Sequence, residues 1–353
     1  MIQQIKNDNF TLELEKWTND YKFFKENRSI KFFPYNFIEK LQFDGTMLSN
    51  NSCKAFSEKH NKIMVLNQIG FSKNYSLDCF IHDLMQFKNV ELHENILKFV
   101  GIVKLDIKEI IFIHEYAYNG TLRQYLKQSF SIINWNDKLR LAKQIVSAIK
   151  YLHENDIVHR NLHPEKIFIH KGDIKIEVFK CQNKVYNTFR FIQYIDPQYL
   201  QNLETYKLDK SSDIYSIGII LWEISSGITP FKSENSNLIN SIIHGKREIA
   251  VSGTPKEYIK IYTECWQHKP DQRPIIQCVF TDLNNINFND NEEVFTDHEK
   301  YVEHKDISVS ETEDLDTVKL LKNYTELYND IVKELSLISS IIATLKKALK
   351  ISY

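Results

Sequence analysis

Histidine and cysteine are the side chains that most readily hold a metal or attack a substrate, and this chain has 12 and five of them. The cysteines, Cys53, Cys79, Cys181, Cys265 and Cys278, are scattered and form no CxxC pair. Their odd number and spacing read as reduced thiols, not as a disulfide frame or a zinc site. His153, His159 and His163 lie close together, but no constellation with metal-ligand spacing accompanies them, and no metal is expected. Glycine is scarce. There are nine, where an average composition would give about 25. A loop that cradles phosphate on its backbone N–H groups normally uses several glycines.

Composition bounds the partners. Lys and Arg total 45 against 46 Asp and Glu, a net charge of −1. That offers no basic field for DNA or RNA. The hydrophobic fraction is 42% and the charged fraction 26%, which are globular values. The opening MIQQIKNDNF lacks an apolar run, so no secretory signal is expected. The uncharged run LSLISSIIATL at 335–345 is 11 residues, whereas a membrane span needs about 20. A cytoplasmic location is expected.

Residues 1–34 read as an N-terminal extension. Leu14, Trp17, Tyr21 and Phe24 there are spaced for an amphipathic helix over 8–26. Residues 35–286 mix strand-like and helix-like runs. Residues 287–316 read as an acidic, disordered linker, with 11 Asp/Glu against two Lys between Asp290 and Asp316. Residues 317–353 carry a heptad-like seam that includes Leu335, Ile338 and Ile342. Further apolar residues (Leu327, Val332, Leu337, Ile341) widen that face beyond a two-stranded seam. The helix either folds back on its own domain or self-associates. Peripheral membrane contact is disfavoured, because the polar face carries few basic residues.

The middle region holds a succession of motifs. They are HENILKFVGI (93–102), IIFIHEYAYNGTLRQYL (110–126), YLHENDIVHRNLHPEKIFI (151–169), IKIEVFK (174–180), YIDPQYL (194–200), SSDIYSIGIILWEI (211–224) and CWQHKPDQRP (265–274). In that order and spacing they resemble a protein kinase domain, most closely the tyrosine-kinase-like group, from about Phe33 to Ile286. The resemblance implies an α+β, bilobal fold with a strand-rich N-lobe and a helical C-lobe. Its structural positions are kept: His159 and Arg160 of the catalytic loop, Asp213, Arg273, and the packing residues Trp222, Glu223, Cys265 and Trp266. Phe87, Phe99, His159 and Phe179 match a hydrophobic column that links the lobes.

Its chemical positions are not kept. Phosphoryl transfer asks the protein for positioning and charge stabilisation. Residues 41–56, where a glycine-rich loop is implied, contain Gly45 alone. The lysine of the third strand is replaced by Asn67, which cannot supply a cation to phosphate. The acid of the N-lobe helix falls at Asp83. The catalytic-loop base is Asn161, which cannot accept a proton; losing a general base costs about 10²–10⁴ in rate. The two metal-binding positions hold Lys166 and Val178. Glu177 adjoins Val178, but neighbours in an extended segment point to opposite sides. Gln198 replaces the glutamate of the APE motif, so an ion pair with Arg273 is expected to weaken to a hydrogen bond.

The vestigial nucleotide pocket would be formed by Val65, Glu115, Ala117 and Phe168. Val65 and Phe168 are bulkier than the family's residues, so the slot is expected to be partly filled. A competing idea lets Lys166 and Lys180 hold phosphates without metal. His114, just before the hinge, reads as a hydrogen-bonded core residue. No cofactor is expected, neither ATP nor Mg²⁺. The reading that follows is a pseudokinase acting as a scaffold or protein-binding module, with self-association through the C-terminal helix. The alternatives are a kinase with residual or atypical phosphotransfer to Ser, Thr or Tyr, and an effector whose terminal helix a partner releases. Tyr186, Thr188 and Tyr194 are candidate sites for modification by another kinase.

Overall fold

The computed structural model of the protein describes residues 30–287 apart from 50–51, 71–76, 91, 106–108, 179–190, 204 and 233–237. The N-terminal helix, the acidic stretch from 288 onward and the terminal seam with Leu335, Ile338 and Ile342 lie outside the described residues, as do Phe179, Lys180, Tyr186 and Thr188.

β-branched and aromatic runs in the first third build one six-stranded sheet. Its strands are β1 (Phe32–Phe33), β2 (Leu41–Ser49), β3 (Ser52–Ser57), β4 (Lys62–Gly70), β5 (Phe99–Lys104) and β6 (Glu109–Glu115), in the order β1-β5-β6-β4-β3-β2. All pairings are antiparallel except β1 with β5. A short helix α1 (Asn36–Glu39) follows β1, and α2 (Leu77–Val90) lies between β4 and β5.

Alternation along β4 sorts its side chains. Met64 and Leu66 pack with Phe37, Ile38, Leu41 and Ile113 in an outer cluster. Ile69 joins Phe80, Phe87 and Phe112 in the large core that continues into the second lobe. Val65 and Asn67 share the face of Ile69, so both look toward the second lobe.

That lobe begins with α3 (Leu122–Ser129), whose Thr121 and Gln124 form a reciprocal capping box. Helix α4 (Trp135–Glu154) is capped by Asn134. The hairpin β7 (Ile167–His170) and β8 (Asp173–Ile176) follows, with Ile167 opposite Ile176. Then come α5 (Pro197–Gln201), α6 (Lys210–Ser226), α7 (Leu238–Ile243), α8 (Lys256–Cys265) and α9 (Ile276–Asn285). Every residue of α6 from Ser212 to Ser226 is buried. It starts at an Asp209 cap and ends at Gly227 in the left-handed region. A Cβ on Gly218 would meet the Tyr262 carbonyl oxygen at 2.9 Å, so only glycine lets α6 and α8 approach this closely. The whole is a bilobal α+β fold.

The sheet takes in Phe32 and Phe33, which the sequence reading places in the N-terminal extension. The cause is steric. The β1 backbone closes on Gly101, where a Cβ would lie 2.5 Å from both the Lys31 oxygen and the Phe33 ring. Phe33 then stacks on Phe37 at 4.0 Å. Gly101→Ala is expected to cost about 1–3 kcal/mol by overpacking this junction. Gly70→Ala, with nothing within 4 Å, should stay within about 0.5 kcal/mol. Urea unfolding of the two variants checks the contrast.

Candidate functional site

The loop between α4 and β7 carries His159, Arg160, Asn161 and Lys166. Asp213, fully buried near the start of α6, holds it in place. One Asp213 oxygen accepts the His159 backbone N–H at 2.8 Å and contacts His153 Nε2 at 2.9 Å. The other accepts the Arg160 N–H at 2.8 Å. Arg160 has φ of +63°, a strained value for a residue with a Cβ. Three bonds to one carboxylate hold it there. His159 is buried, and its two ring nitrogens are both engaged. Nε2 meets the Glu177 carbonyl at 3.1 Å, while Nδ1 accepts the Asn161 N–H at 3.3 Å. This network assigns the proton to Nε2. Beside Asn161 lies a cavity of about 10 Å³, bounded by His163, Phe191 and Tyr194. It has room for about one water.

Above the loop, the sheet presents a row of side chains. Lys54 is opposite Val65, and Val65 is opposite His114. Directly opposed residues share a face, so the row runs from β3 across β4 to β6. Lys54 Nζ lies 5.2 Å from the Tyr116 ring of the hinge. His114 is buried, and its Nδ1 lies 2.8 Å from the Glu115 carbonyl. Burial lowers the His114 pKa, and the nearby Glu177 charge only partly opposes this. Asn67, also buried, accepts the Ser52 hydroxyl through Oδ1, while its Nδ2 has no hydrogen-bond partner among the described residues. Glu115 accepts the Lys98 N–H at 3.0 Å, and Ala117 is buried beyond it. Phe168 bridges to Thr121 below.

Between the two lobes lies an ion pair. Lys166 Nζ is 2.7 Å from Glu177 Oε2, with side-chain exposures of 26% and 12%. The Glu177 N–H also donates to the Lys166 carbonyl at 2.9 Å. Burial alone would push the Glu177 carboxyl up, but the Lys166 ammonium holds it below the ordinary range. Glu177 is therefore ionised at neutral pH. The sequence reading turned this carboxylate away from the metal positions. That is corrected here: β8 ends at Ile176, so strict alternation no longer governs the next residue. Lys166 is accordingly an ion-paired side chain, about a quarter exposed.

A family model described as protein tyrosine and serine/threonine kinase matches residues 47–283. The chain belongs to the protein kinase family. Among relatives, cyclic GMP-binding protein C of Dictyostelium discoideum is 27% identical over 223 residues, covering 59% of this chain and 8% of that protein. A probable LIM domain-containing serine/threonine-protein kinase of the same organism is 25% identical over 256 residues, covering 70% of this chain and 39% of that protein. Its RGS domain-containing serine/threonine-protein kinase A is 28% identical over 207 residues, covering 56% and 18%. The chain thus spans well under half the length of each of these relatives.

Kinases use a bound nucleotide and Mg²⁺. At the metal positions this kinase-family chain offers the ammonium of Lys166 and the buried isopropyl group of Val178. Neither donates a lone pair to a divalent cation. Among the described residues, the carboxylate adjoining them, Glu177, is engaged by Lys166. The residues present do not fit the metal. Asp83 sits on α2, about a quarter exposed, with its carboxylate 3.8 Å from His82 of the same helix. Of the linking column, Phe87 and Phe99 meet edge to face at 6.2 Å.

Two further sequence expectations change. Tyr194 is buried, not an exposed hydroxyl open to modification. Its O–H donates to Glu223 and accepts from Arg123, which also reaches Glu223 at 3.1 Å. Burial, with the Glu223 charge, raises its pKa well above the ordinary value. Arg273 also keeps a full ion pair, made by Asp196 instead of residue 198. The pair is bidentate, at 2.7 and 2.9 Å, and completely buried. Asp196 further accepts the Gln198 N–H, the Ser212 hydroxyl and the Tyr206 hydroxyl. Gln198 turns to His268 at 3.0 Å.

Burial would raise the Asp196 pKa, but the Arg273 guanidinium more than offsets this and lowers it below 3.8. The unfolded chain therefore takes up this proton first as pH falls. The stabilisation is present above pH 3.8 and is lost as pH drops through the lower folded value. Asp196→Asn should cost about 3–5 kcal/mol, because it leaves Arg273 buried without a counter-ion. The variant's stability should also fall less steeply than the parent's below pH 3.8. Urea midpoints at neutral and acid pH check both.

Proposed function

We propose that this chain is a catalytically inactive kinase, a pseudokinase of the tyrosine-kinase-like group, that serves as a protein-binding module or signalling scaffold. One observation carries the reading: Lys166, which stands where the resemblance implies a metal ligand, is ion-paired with Glu177. Asn161 in place of the base and Val178 in place of the second metal ligand support it. At the positions that the family uses, a phosphoryl group would find an asparagine for the base, no ligand pair, and Asn67, an amide, in place of the lysine. Meanwhile the framework that shapes a kinase surface is intact in Asp213, Arg273 and α6. A surface kept without the chemistry suits recognition. A cytoplasmic location belongs to the same reading, and no helix among the described residues is long and apolar enough to cross a membrane.

The test is a phosphotransfer assay on the full chain with ATP, Mg²⁺ or Mn²⁺, and mixed Ser, Thr and Tyr substrates. The expected transfer equals the protein-free blank. Turnover above that blank would overturn the proposal. The scaffold is further proposed to self-associate through its terminal seam. Replacing Leu335, Ile338 and Ile342 together by Glu should reduce the solution mass to that of a monomer by light scattering. An unchanged mass would remove self-association from the proposal.

A further inference from the structure

Arg247, in the loop after α7, is a cation held by neutral atoms. Its Nε donates to the Trp266 carbonyl at 2.9 Å, and its Nη1 donates to the carbonyls of Ile242 and Lys246 at 3.2 and 2.7 Å. Among the described residues no carboxylate pairs with it. The adjoining Glu248 instead accepts the Phe231 N–H. Arg247 shares the Tyr215 ring with Arg273, at 5.0 and 5.3 Å from its centroid. Arg273 is already neutralised by Asp196. Two guanidinium groups against one carboxylate leave one positive charge over. A buried charge without a partner is costly.

Two more donors stand beside it. Tyr215, on α6, is fully buried. His268 follows α8, in a turn whose successive carbonyls both arginines grip: Trp266 by Arg247, Gln267 and His268 by Arg273. The Gln198 amide N–H donates to His268 Nε2 at 3.0 Å, which assigns the ring proton to Nδ1. Arg247 Nη2, the Tyr215 hydroxyl and His268 Nδ1 are all buried, and none has a hydrogen-bond partner among the described residues. Burial raises the Tyr215 pKa, so the hydroxyl keeps its proton. Burial, with the Arg247 and Arg273 charges, lowers that of His268, so the ring is neutral and Nδ1 still carries its one proton. Each of the three atoms therefore has a hydrogen to give.

A water molecule accepts two hydrogen bonds and brings two hydrogens that need acceptors of their own. A halide accepts from every side and supplies the missing charge. We propose that Arg247, Tyr215 and His268 form a binding site for one small monovalent anion, of the chloride class, which joins α6 to the turns after α7 and α8. The site stands apart from the reading of an inactive kinase, because none of its residues occupies a base or metal position.

The experiment follows thermal unfolding of the full chain at constant ionic strength while sodium gluconate is replaced by sodium chloride. Gluconate is too large for a buried site. The parent midpoint should rise with chloride and then level off, by at least about 2 °C in all. Bromide should act in place of chloride. Tyr215→Phe removes one donor and leaves the ring between the two guanidinium groups. It should need at least about tenfold more chloride for the same rise. Arg247→Met should show no saturable rise.

A parent midpoint that ignores chloride overturns the inference, and is the result that one trapped water would give. A rise of the same size and midpoint concentration in Tyr215→Phe, or one that survives Arg247→Met, is a general salt effect and overturns it too. If Arg247→Met does not fold, Tyr215→Phe decides, since loss of one oxygen keeps the packing of α6.

Discussion

A helix buried along nearly its whole length must satisfy any charge it carries. α6 buries two, Asp213 near its start and Glu223 near its end. An uncompensated buried carboxylate costs several kcal/mol (on the order of 3–5 when its partner is removed). The surrounding chain is arranged to prevent this. The catalytic-type loop folds down so that two backbone N–H groups and His153 reach Asp213, at the expense of a left-handed Arg160. Arg123 of α3 and Tyr194 converge on Glu223. The shape of a kinase active-site loop here is thus a by-product of neutralising a buried helix. It does not depend on the residue at position 161, which explains how the fold persists around an asparagine.

Much of this was legible in the sequence. The order of the short motifs indicated both lobes. His159, Arg160, Asp213 and Arg273 could be placed because backbone geometry restricts what can stand at those positions. What could not be read was which neighbour meets a given charge. Gln198 looked like the lost partner of Arg273, but the turn before α5 brings Asp196, two residues earlier, onto the guanidinium. Glu177 looked misdirected because period-two alternation was carried one residue past the end of β8. Lys54 has no local sign of its position. Its place over Tyr116 follows from strand register, which is set by long-range pairing rather than local sequence. Tyr194 was misjudged for a related reason: a tyrosine in a segment that reads as an exposed loop carries no local sign that a buried acid lies beneath it.

The two compensated acids of the C-lobe edge and the cleft differ in kind. Asp196–Arg273 has no exposed atoms and many supporting bonds, and it ties the turn before α5 to the segment before α9. Lys166–Glu177 is partly open to solvent and supported mainly by one backbone bond. The first holds the fold together. The second joins the residues that precede β7 and follow β8. Lys138 adds a third case, a cation with no acid beside it among the described residues. Its ammonium lies 3.9 Å from the Phe130 ring and 4.8 Å from that of Trp135, donates to the Ser225 carbonyl, and has its pKa lowered by burial to about 8.

An ion pair made by two residues of one chain has no concentration term. Dilution, dialysis and gel filtration leave Lys166 and Glu177 as fully paired as before, whereas each would strip a bound nucleotide. Acidity acts on the charges themselves, and ionic strength does so to a degree limited by burial. A cation that has its counter-ion in the same chain is paired at every protein concentration.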